Sequence, residues 1–265
     1  MSNCAYAEDV RTSLSPKTMI IPLLSLIILF LIGYGIRVGI LYRNTGTLTT
    51  TSETFPRDYY VGDKTKPPLT YLALGDSTVQ GVGASSPEKT LVGQIAQRLS
   101  EKGKYVHVIN AGITGARMHD VKINQLQALV DNKPDVISLV AGANDAIHHT
   151  PEADFSTSLT KVMDSLIASS AARIIIATSP DVGLMPALPH FYAQGAKRYA
   201  EKQNMVLALK ITDSRIAIAD LFTEGKLDPK ADASLYASDQ FHPSDKGYAV
   251  WGKLLAKASE QKAQH

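Results

Sequence analysis

Three side chains with the chemistry for nucleophilic catalysis occur at two places in the chain. Ser77 follows the short apolar run of residues 71–74 and the dipeptide Gly-Asp, while Asp239 and His242 lie three residues apart near the other end. A serine hydroxyl is a poor nucleophile near neutral pH and needs an adjacent general base. His242 could supply that base, and Asp239 could orient its imidazole as the third member of a triad does. Because Gly-Asp-Ser is also an ordinary turn, this interpretation depends on the rest of the chain.

Two further positions could provide the hydrogen-bond donors that acyl transfer requires. Gly112 and Asn144 each follow another apolar run. The backbone N–H groups of Ser77 and Gly112 and the side-chain amide of Asn144 are suitable donors to a developing oxyanion. A glycine at position 112 would also let the backbone approach a substrate closely. We therefore expect an oxyanion hole formed by Ser77, Gly112 and Asn144.

The elements that must position these residues alternate between apolar strands and amphipathic helices. Strands are predicted near residues 71–74, 105–109, 135–141, 173–178 and 214–220. Helices are predicted near residues 87–102, 117–131, 154–169, 190–209 and from about 244 to 260. The strands are continuous apolar runs, as expected when both faces of a sheet are covered. This pattern predicts a doubly wound α/β domain in which a five-stranded parallel sheet lies between two helix layers.

This fold would bring the polar residues to one edge of the sheet. Ser77, Gly112 and Asn144 follow successive strands at intervals of about one strand-helix-strand unit of ~30 residues. Asp239 and His242 lie in the loop after the fifth strand. Since ligands of open parallel sheets bind outside the carboxyl ends of the strands, all five positions are expected to converge there.

Taken as an ordered set, these motifs resemble the SGNH hydrolase superfamily, also called GDSL esterases and lipases. The motifs are Gly75-Asp76-Ser77, Gly112, Gly142-x-Asn144-Asp145 and Asp239-x-x-His242-Pro243. The resemblance extends from about Leu72 to the last helix, and Thr78 stands where the nominal motif has leucine, a position that varies in the family. It implies a serine esterase with Ser77 as nucleophile, His242 as base, Asp239 as its partner, and Gly112 and Asn144 in the oxyanion hole. It further implies the flavodoxin-like strand order 2-1-3-4-5 and no required cofactor.

The N-terminal region predicts a membrane anchor. Residues 19–36 form an almost uniformly apolar run without a charged side chain, close to the ~20 residues that span a bilayer. A cleaved signal peptide is the alternative, but its apolar core is usually only ~7–15 residues long. We therefore expect a tail at 1–18, a transmembrane helix at 19–42, a Thr/Pro-containing linker at 43–69 and a hydrolase domain at 70–265. The hydrolase domain is expected outside the cytoplasm, although the basic residues flanking the span hardly favour either orientation.

The composition limits the classes of partner and the kinds of metal site that the protein can have. The formal net charge is only +2, and the chain has no dense run of Lys or Arg, which argues against a nucleic-acid partner. Cys4 is the single cysteine, which excludes an intramolecular disulfide and a cysteine-rich metal site. The expected partners are a small-molecule or lipid ester substrate and, through residues 19–42, a membrane.

Several alternatives remain open. Asp181 follows the fourth predicted strand and is the rival of Asp239 for the triad acid, while His148 and His149 could rim the pocket or bind a metal. The apolar loop of residues 182–188 could line an acyl pocket or simply close the domain. Short-chain esters, lysophospholipids, acyl thioesters and acetylated sugars are all compatible substrates. The alternatives in function are an acyltransferase or carbohydrate acetylesterase acting on cell-envelope material and a non-catalytic binding module.

Overall fold

The structure, a computed structural model, describes residue 22, residues 24–37 and residues 55–260. The chain divides into two compact units, Met1–Arg43 and Asn44–His265. In the first unit, residues 24–37 form helix α1. Among the described residues, no helix combines the length and the hydropathy that a membrane span requires. The predicted tail, the rest of the predicted span at 19–42 and the first part of the predicted linker lie outside the described residues.

The second unit is built around a sheet of six strands, one more than predicted. They are β1 (Asp58–Val61), β2 (Pro68–Gly75), β3 (Tyr105–Asn110), β4 (Val136–Val140), β5 (Arg173–Ala177) and β6 (Ile216–Ala219). Their order is β1-β3-β2-β4-β5-β6. Strands β2 to β6 run parallel, whereas β1 pairs antiparallel with β3. The predicted order 2-1-3-4-5 therefore describes only the parallel part of the sheet.

The additional strand β1 lies within the stretch that the sequence assigned to the linker. Tyr60 is opposite His107 in the register and stacks on it with the ring centroids 4.5 Å apart. Asp58 Oδ1 lies 2.7 Å from His107 Nε2. These contacts hold a short strand against β3, where the free edge of a sheet would otherwise expose unpaired backbone groups. Cross-strand side-chain pairs of this kind stabilise a sheet, and the sequence of one strand alone does not reveal them.

Helices cover both faces of the sheet. They are α2 (Ser77–Gln80), α3 (Leu91–Glu101), α4 (Met118–Asn124), α5 (Gln127–Asn132), α6 (Ala143–Ile147), α7 (Glu152–Ala168), α8 (His190–Ala208) and α9 (Asp245–Glu260), with 3₁₀ turns at Pro87–Lys89, Val182–Leu184 and Ala233–Leu235. Residues of α3 and α9 pack with one set of strand side chains, which includes Val108 and Ile175. Residues of α4, α5 and α7 pack with the alternate set, which includes Leu139 and Ile174. This alternation gives the three-layer α/β architecture.

Two helices differ from the sequence prediction. The helix expected to begin near Pro87 begins at Leu91, because Thr90 accepts a hydrogen bond from Gly93 N and caps it. The helix expected over residues 117–131 is divided into α4 and α5 at Gln125. The Gln125 side chain is buried against the end of β2, which the periodicity of apolar residues does not reveal.

Candidate active site

Ser77 lies at the first turn after β2, in a conformation set by its two neighbours. Gly75 has φ +149°, and a Cβ at this residue would lie 2.0 Å from Val140 O, so only glycine fits. Asp76 Oδ1 accepts hydrogen bonds from Thr78 N at 2.9 Å and Thr78 Oγ1 at 2.8 Å, which caps the short helix α2. These contacts explain the threonine at the position where leucine is nominal. They also give Asp76 the role of holding the loop.

Gln125 holds the backbone just before the serine. Its Oε1 accepts from Gly75 N, and its Nε2 donates to Gly75 O, both at 2.8 Å. Strand β3 ends at Asn110 and therefore does not pair with Gly75. The loop that follows β3 contributes one hydrogen bond, from Ile113 N to Gly75 O. The buried Gln125 amide thus satisfies the Gly75 N–H, which would otherwise be unpaired in the interior.

The structure brings Ser77, His242 and Asp239 into one hydrogen-bonded chain. His242 Nε2 lies 2.9 Å from Ser77 Oγ, and His242 Nδ1 lies 2.5 Å from Asp239 Oδ2. All three side chains are buried, with exposed fractions of 5%, 5% and 0% from serine to aspartate. A histidine held between a hydroxyl and a carboxylate can accept the hydroxyl proton as the serine attacks.

Hydrogen bonds hold both carboxylate oxygens of Asp239. Besides the contact with His242 Nδ1, its Oδ1 accepts from Phe241 N and His242 N, each at 3.0 Å. Burial alone would raise the pKa of Asp239, but the side-chain bond to His242, the attraction of that ring and the two backbone N–H groups outweigh it and lower the pKa. Asp239 therefore remains ionised and orients the imidazole.

The position of Gly112 does not suit the donor role predicted for it. Gly112 N donates to Asn110 Oδ1 at 3.0 Å, so its N–H is already engaged. Gly112 is also buried, and a Cβ there would lie 2.8 Å from Gln80 N. The close packing against α2 requires a glycine at position 112.

Three other donors, from the loops that follow β2, β3 and β4, are free of protein partners among the described residues. They are the backbone N–H groups of Ser77 and Gly115 and one N–H of the Asn144 amide, whose Nδ2 donates to Ala116 O at 3.0 Å. Gly115 is exposed, has φ +79°, and has open space where a Cβ would point. The Asn144 side chain therefore contacts the loop that contains Gly115.

The rival residues are placed away from the triad. Asp181 accepts from Gly183 N at 3.2 Å, and Lys197 Nζ lies 3.1 Å from its Oδ2, so it stabilises its own loop. His149 stacks between two tyrosine rings, and His148 is exposed. Among the residues that the structure describes, no group of three or more His, Cys, Asp or Glu side chains is arranged to hold a metal ion.

A small apolar cavity adjoins the nucleophile. Ser77 and His242 line it together with Met185, Phe241 and Ala143, and its volume is about 20 Å³. Met185 belongs to the loop 182–188, so part of this loop does reach the candidate site. A space of this size holds about one water molecule or methyl group.

Residues 73–250 match the sequence profile of the GDSL-like lipase/acylhydrolase family. The chain belongs to this family. It is 28% identical over 194 residues to the GDSL-like esterase Rv1075c of Mycobacterium tuberculosis, covering 69% of this chain and 59% of the relative. It is 32% identical over 106 residues to an arylesterase of Vibrio mimicus, covering 40% of this chain and 52% of the relative. The matched region thus spans little more than half the length of these two proteins.

A solved structure of another protein has a similar fold. The lipase Lip_vut3 from a goat rumen metagenome superposes with a TM-score of 0.60 at 18% identity, over 74% of this chain and all of that one. At this identity the likeness concerns the fold alone. Together with the family assignment it supports a GDSL-like domain with a mostly parallel, three-layer α/β architecture.

Sequence reasoning about this GDSL-like domain missed Gly115 and Gln125. Gly115 is the last residue of the Asn-Ala-Gly-Ile-Thr-Gly stretch that follows β3, so a second glycine was available as a signal. Gln125 carries no such signal, because a glutamine inside an apparent amphipathic helix is normally a surface residue.

Proposed function

We propose that the protein is a serine esterase that cleaves carboxylic esters through a covalent acyl-serine intermediate. The observation that carries this proposal is the continuous hydrogen-bonded chain from Ser77 Oγ through His242 to Asp239. A binding module that merely retained the fold would need neither a buried, fully bonded carboxylate behind the histidine nor free donors beside the serine. Membership of the GDSL-like family points the same way.

In the proposed reaction, Ser77 Oγ forms a bond to the ester carbonyl carbon while its proton passes to His242 Nε2. The imidazolium is stabilised by the ionised Asp239 and then gives its proton to the leaving alcohol as the carbon–oxygen bond breaks. A water molecule attacks the acyl-serine in the same way, with His242 again taking its proton. The acid is released, and Ser77 recovers its hydroxyl hydrogen.

The oxyanion hole that we propose uses Gly115 in place of Gly112. The donors are the N–H groups of Ser77 and Gly115 and the Asn144 side-chain amide, which are the donors left free of protein partners. Donors that are held in place before the reaction stabilise the charge on the carbonyl oxygen without reorganisation, which is why such groups strongly affect turnover.

The test of the enzymatic proposal is labelling of the purified protein with a fluorophosphonate probe. The wild type is expected to form one covalent adduct, at Ser77, and to hydrolyse p-nitrophenyl acetate. Ser77→Ala should do neither while giving the same circular dichroism spectrum. Folded wild-type protein that takes up no probe would refute the proposal.

The acyl group that we propose is short. The cavity of about 20 Å³ between Ser77 and Met185 accepts a methyl-sized group, so an acetyl ester fits and a longer chain must stay outside it. Across p-nitrophenyl acetate, butyrate and octanoate, kcat/KM is expected to fall with chain length. Met185→Ala should raise the butyrate-to-acetate ratio, whereas equal rates for acetate and octanoate in the wild type would contradict a short acyl group.

Membrane attachment through residues 19–42 remains a further proposal, supported by the absence of charged side chains from residues 19–36. Alkaline carbonate extraction of membranes from expressing cells tests it, because a spanning helix withstands this treatment. Release of the full-length protein into the supernatant would rule out a spanning anchor.

A further inference from the structure

The helix that carries Ser77 also contacts the loop that follows β3. In α2, Gln80 comes one helical turn after Ser77, and it is only 5% exposed. Its Oε1 accepts two hydrogen bonds from one residue of that loop, from Thr114 N at 2.9 Å and from Thr114 Oγ1 at 2.7 Å. Thr114 directly precedes Gly115. A single side chain therefore links the helix of Ser77 to the residue before a proposed oxyanion donor.

Helix α2 is a fixed base for this side chain. Asp76 caps its first turn, and at its other end Gly81 N donates to Ser77 O at 3.0 Å. A Cβ at Gly81 would lie 2.6 Å from Thr90 Cγ2, so this end of the helix is closely packed. The backbone of Gln80 is held as well, since its N–H donates to Asp76 O at 3.1 Å. Because both ends of α2 are fixed, the Gln80 amide can hold the more exposed loop in place.

Thr114 and Gly115 are the two central residues of a β-turn. A hydrogen bond from Ala116 N to Ile113 O, at 3.0 Å, closes the turn. The φ of Gly115, +79°, agrees with the value of about +80° that a type II turn requires at its third residue. A type I turn differs from it chiefly by a rotation of the peptide between the two central residues, which would reverse the direction of the Gly115 N–H. The direction of this proposed donor thus depends on one peptide group.

The turn is exposed to solvent but is held from both sides. Residues 113–115 are all exposed. Before the Thr114–Gly115 peptide, Gln80 binds both the N–H and the hydroxyl of Thr114. After it, Ala116 O accepts from Asn144 Nδ2 at 3.0 Å. Gln80 is therefore the side chain that restrains the turn from the helix of the nucleophile.

We propose that Gln80 is a positioning residue that keeps the Gly115 N–H in the direction that the proposed oxyanion hole requires. The inference rests on the proposed esterase function and adds to it a residue that does not touch the substrate. Without the Gln80 acceptor, Thr114 would bind water, and the Thr114–Gly115 peptide could rotate while the triad keeps its contacts. The loss would then fall on the stabilisation of the transition state and not on the binding of the ester.

The experiment measures kcat and KM for p-nitrophenyl acetate in full-length Gln80→Met, whose side chain has a similar length but lacks the amide oxygen. We expect kcat to fall at least about tenfold, up to the ~10²–10³-fold that loss of a whole donor costs, with KM changed by less than about twofold. Gln97→Met, at an exposed position of α3, is the matched control and should keep the wild-type kcat. A wild-type kcat in Gln80→Met overturns the inference.

The pH dependence of kcat/KM separates this role from damage to the triad. His242 must be neutral to accept the Ser77 proton, so its titration gives the acidic limb of the profile. The limb should lie at the same pH in Gln80→Met and in the wild type, because the contacts of His242 with Ser77 and Asp239 are unchanged. A displaced limb would mean that the substitution acts through the triad, which would also overturn the inference.

Substitutions at the exposed Thr114 provide a second test that leaves the buried Gln80 side chain intact. Thr114→Val removes one of the two hydrogen bonds and should lower kcat several-fold, whereas Thr114→Ser keeps both and should stay within about twofold of the wild type. Since Gln80→Met and Thr114→Val break the same contact, the double variant should have the kcat of Gln80→Met alone. Equal losses in Thr114→Val and Thr114→Ser, or multiplied losses in the double variant, contradict the proposed role. All these readouts compare variants with the wild type, so failure of the esterase proposal would be recognised separately by the absence of a fluorophosphonate adduct on wild-type Ser77.

Discussion

Two buried carboxylates beside the candidate site, Asp239 and Asp145, have opposite surroundings. Asp239 is bonded to His242 Nδ1 and to two backbone N–H groups, and these bonds lower its pKa. Asp145 accepts one backbone hydrogen bond and lies beside the Thr150 hydroxyl, yet burial outweighs both contacts and raises its pKa to about 6. Two carboxylates of equal burial thus differ in charge stability because of their hydrogen bonds. The first orients the His242 ring, whereas burial destabilises the charged form of the second.

The largest effect on activity is expected from replacing Asp239, the carboxylate whose oxygens are both hydrogen-bonded. Asp239→Asn should lower kcat for p-nitrophenyl acetate by about 10⁴-fold, because the amide no longer stabilises the imidazolium or selects its tautomer. Steady-state kinetics on folded protein provides the measurement. A decrease of less than tenfold would mean that Asp239 is not the partner of the base.

The oxyanion donors come next. Asn144→Ala removes one of the three proposed donors and should lower kcat by about 10²–10³-fold with little change in KM. Asn110→Ala is the informative companion, since it frees the N–H of Gly112 without touching the proposed hole. An unchanged kcat for Asn144→Ala would remove this residue from the site.

Replacing Gln125 tests whether its buried amide, which is hydrogen-bonded to Gly75, positions the nucleophile. Gln125→Leu leaves Gly75 N unpaired, which should lower the free energy of unfolding by about 1–3 kcal/mol. It should also lower kcat by about tenfold or more, because small displacements of a nucleophile are costly. The rate of fluorophosphonate labelling at a temperature where both proteins are folded separates these effects.

Gln127→Leu is the matched control for this experiment. Gln127 lies two residues further on and is exposed, and in the described part of the chain its side chain bonds only to Asp131. Its kcat should equal that of the wild type. If Gln125→Leu lost stability but kept the wild-type rate of labelling, Gln125 would be structural only.

The smallest effect is a gain in stability from neutralising the other carboxylate. The pKa of Asp145 is about 6 in the folded protein against the ordinary 3.8, so the folded state binds more protons between these values and wild-type stability falls as pH rises through that range. Asp145→Asn lacks this loss and should be more stable than the wild type by about 1–3 kcal/mol at pH 7.5. At pH 4 the two should be nearly equal. Urea unfolding at both pH values measures the difference, and a destabilised variant at pH 7.5 would contradict the raised pKa of Asp145.

The amino-acid sequence by itself predicted the parallel α/β pattern, which the structure confirms, and selected the three residues of the proposed triad. Continuous apolar runs reveal strands that are buried on both faces, and the polar residues that follow them must meet at one edge because parallel strands share a direction. For this reason Ser77, Asp239 and His242 could be selected without coordinates. The spacing of three residues between the last two also favoured Asp239 over Asp181.

Only the tertiary structure decided which backbone groups are free and which are engaged. The N–H of Gly112 is bound by Asn110, and that of Gly115 is not, a difference that depends on backbone dihedral angles rather than residue type. Likewise, β1 is held at the edge of the sheet by side chains that pair with those of β3. Gln125 is buried because β3 ends before it can pair with Gly75, whose N–H then donates to the glutamine. The contacts of β1 with β3 and of Gln125 with Gly75 join positions about 50 residues apart, so local sequence patterns do not reveal them.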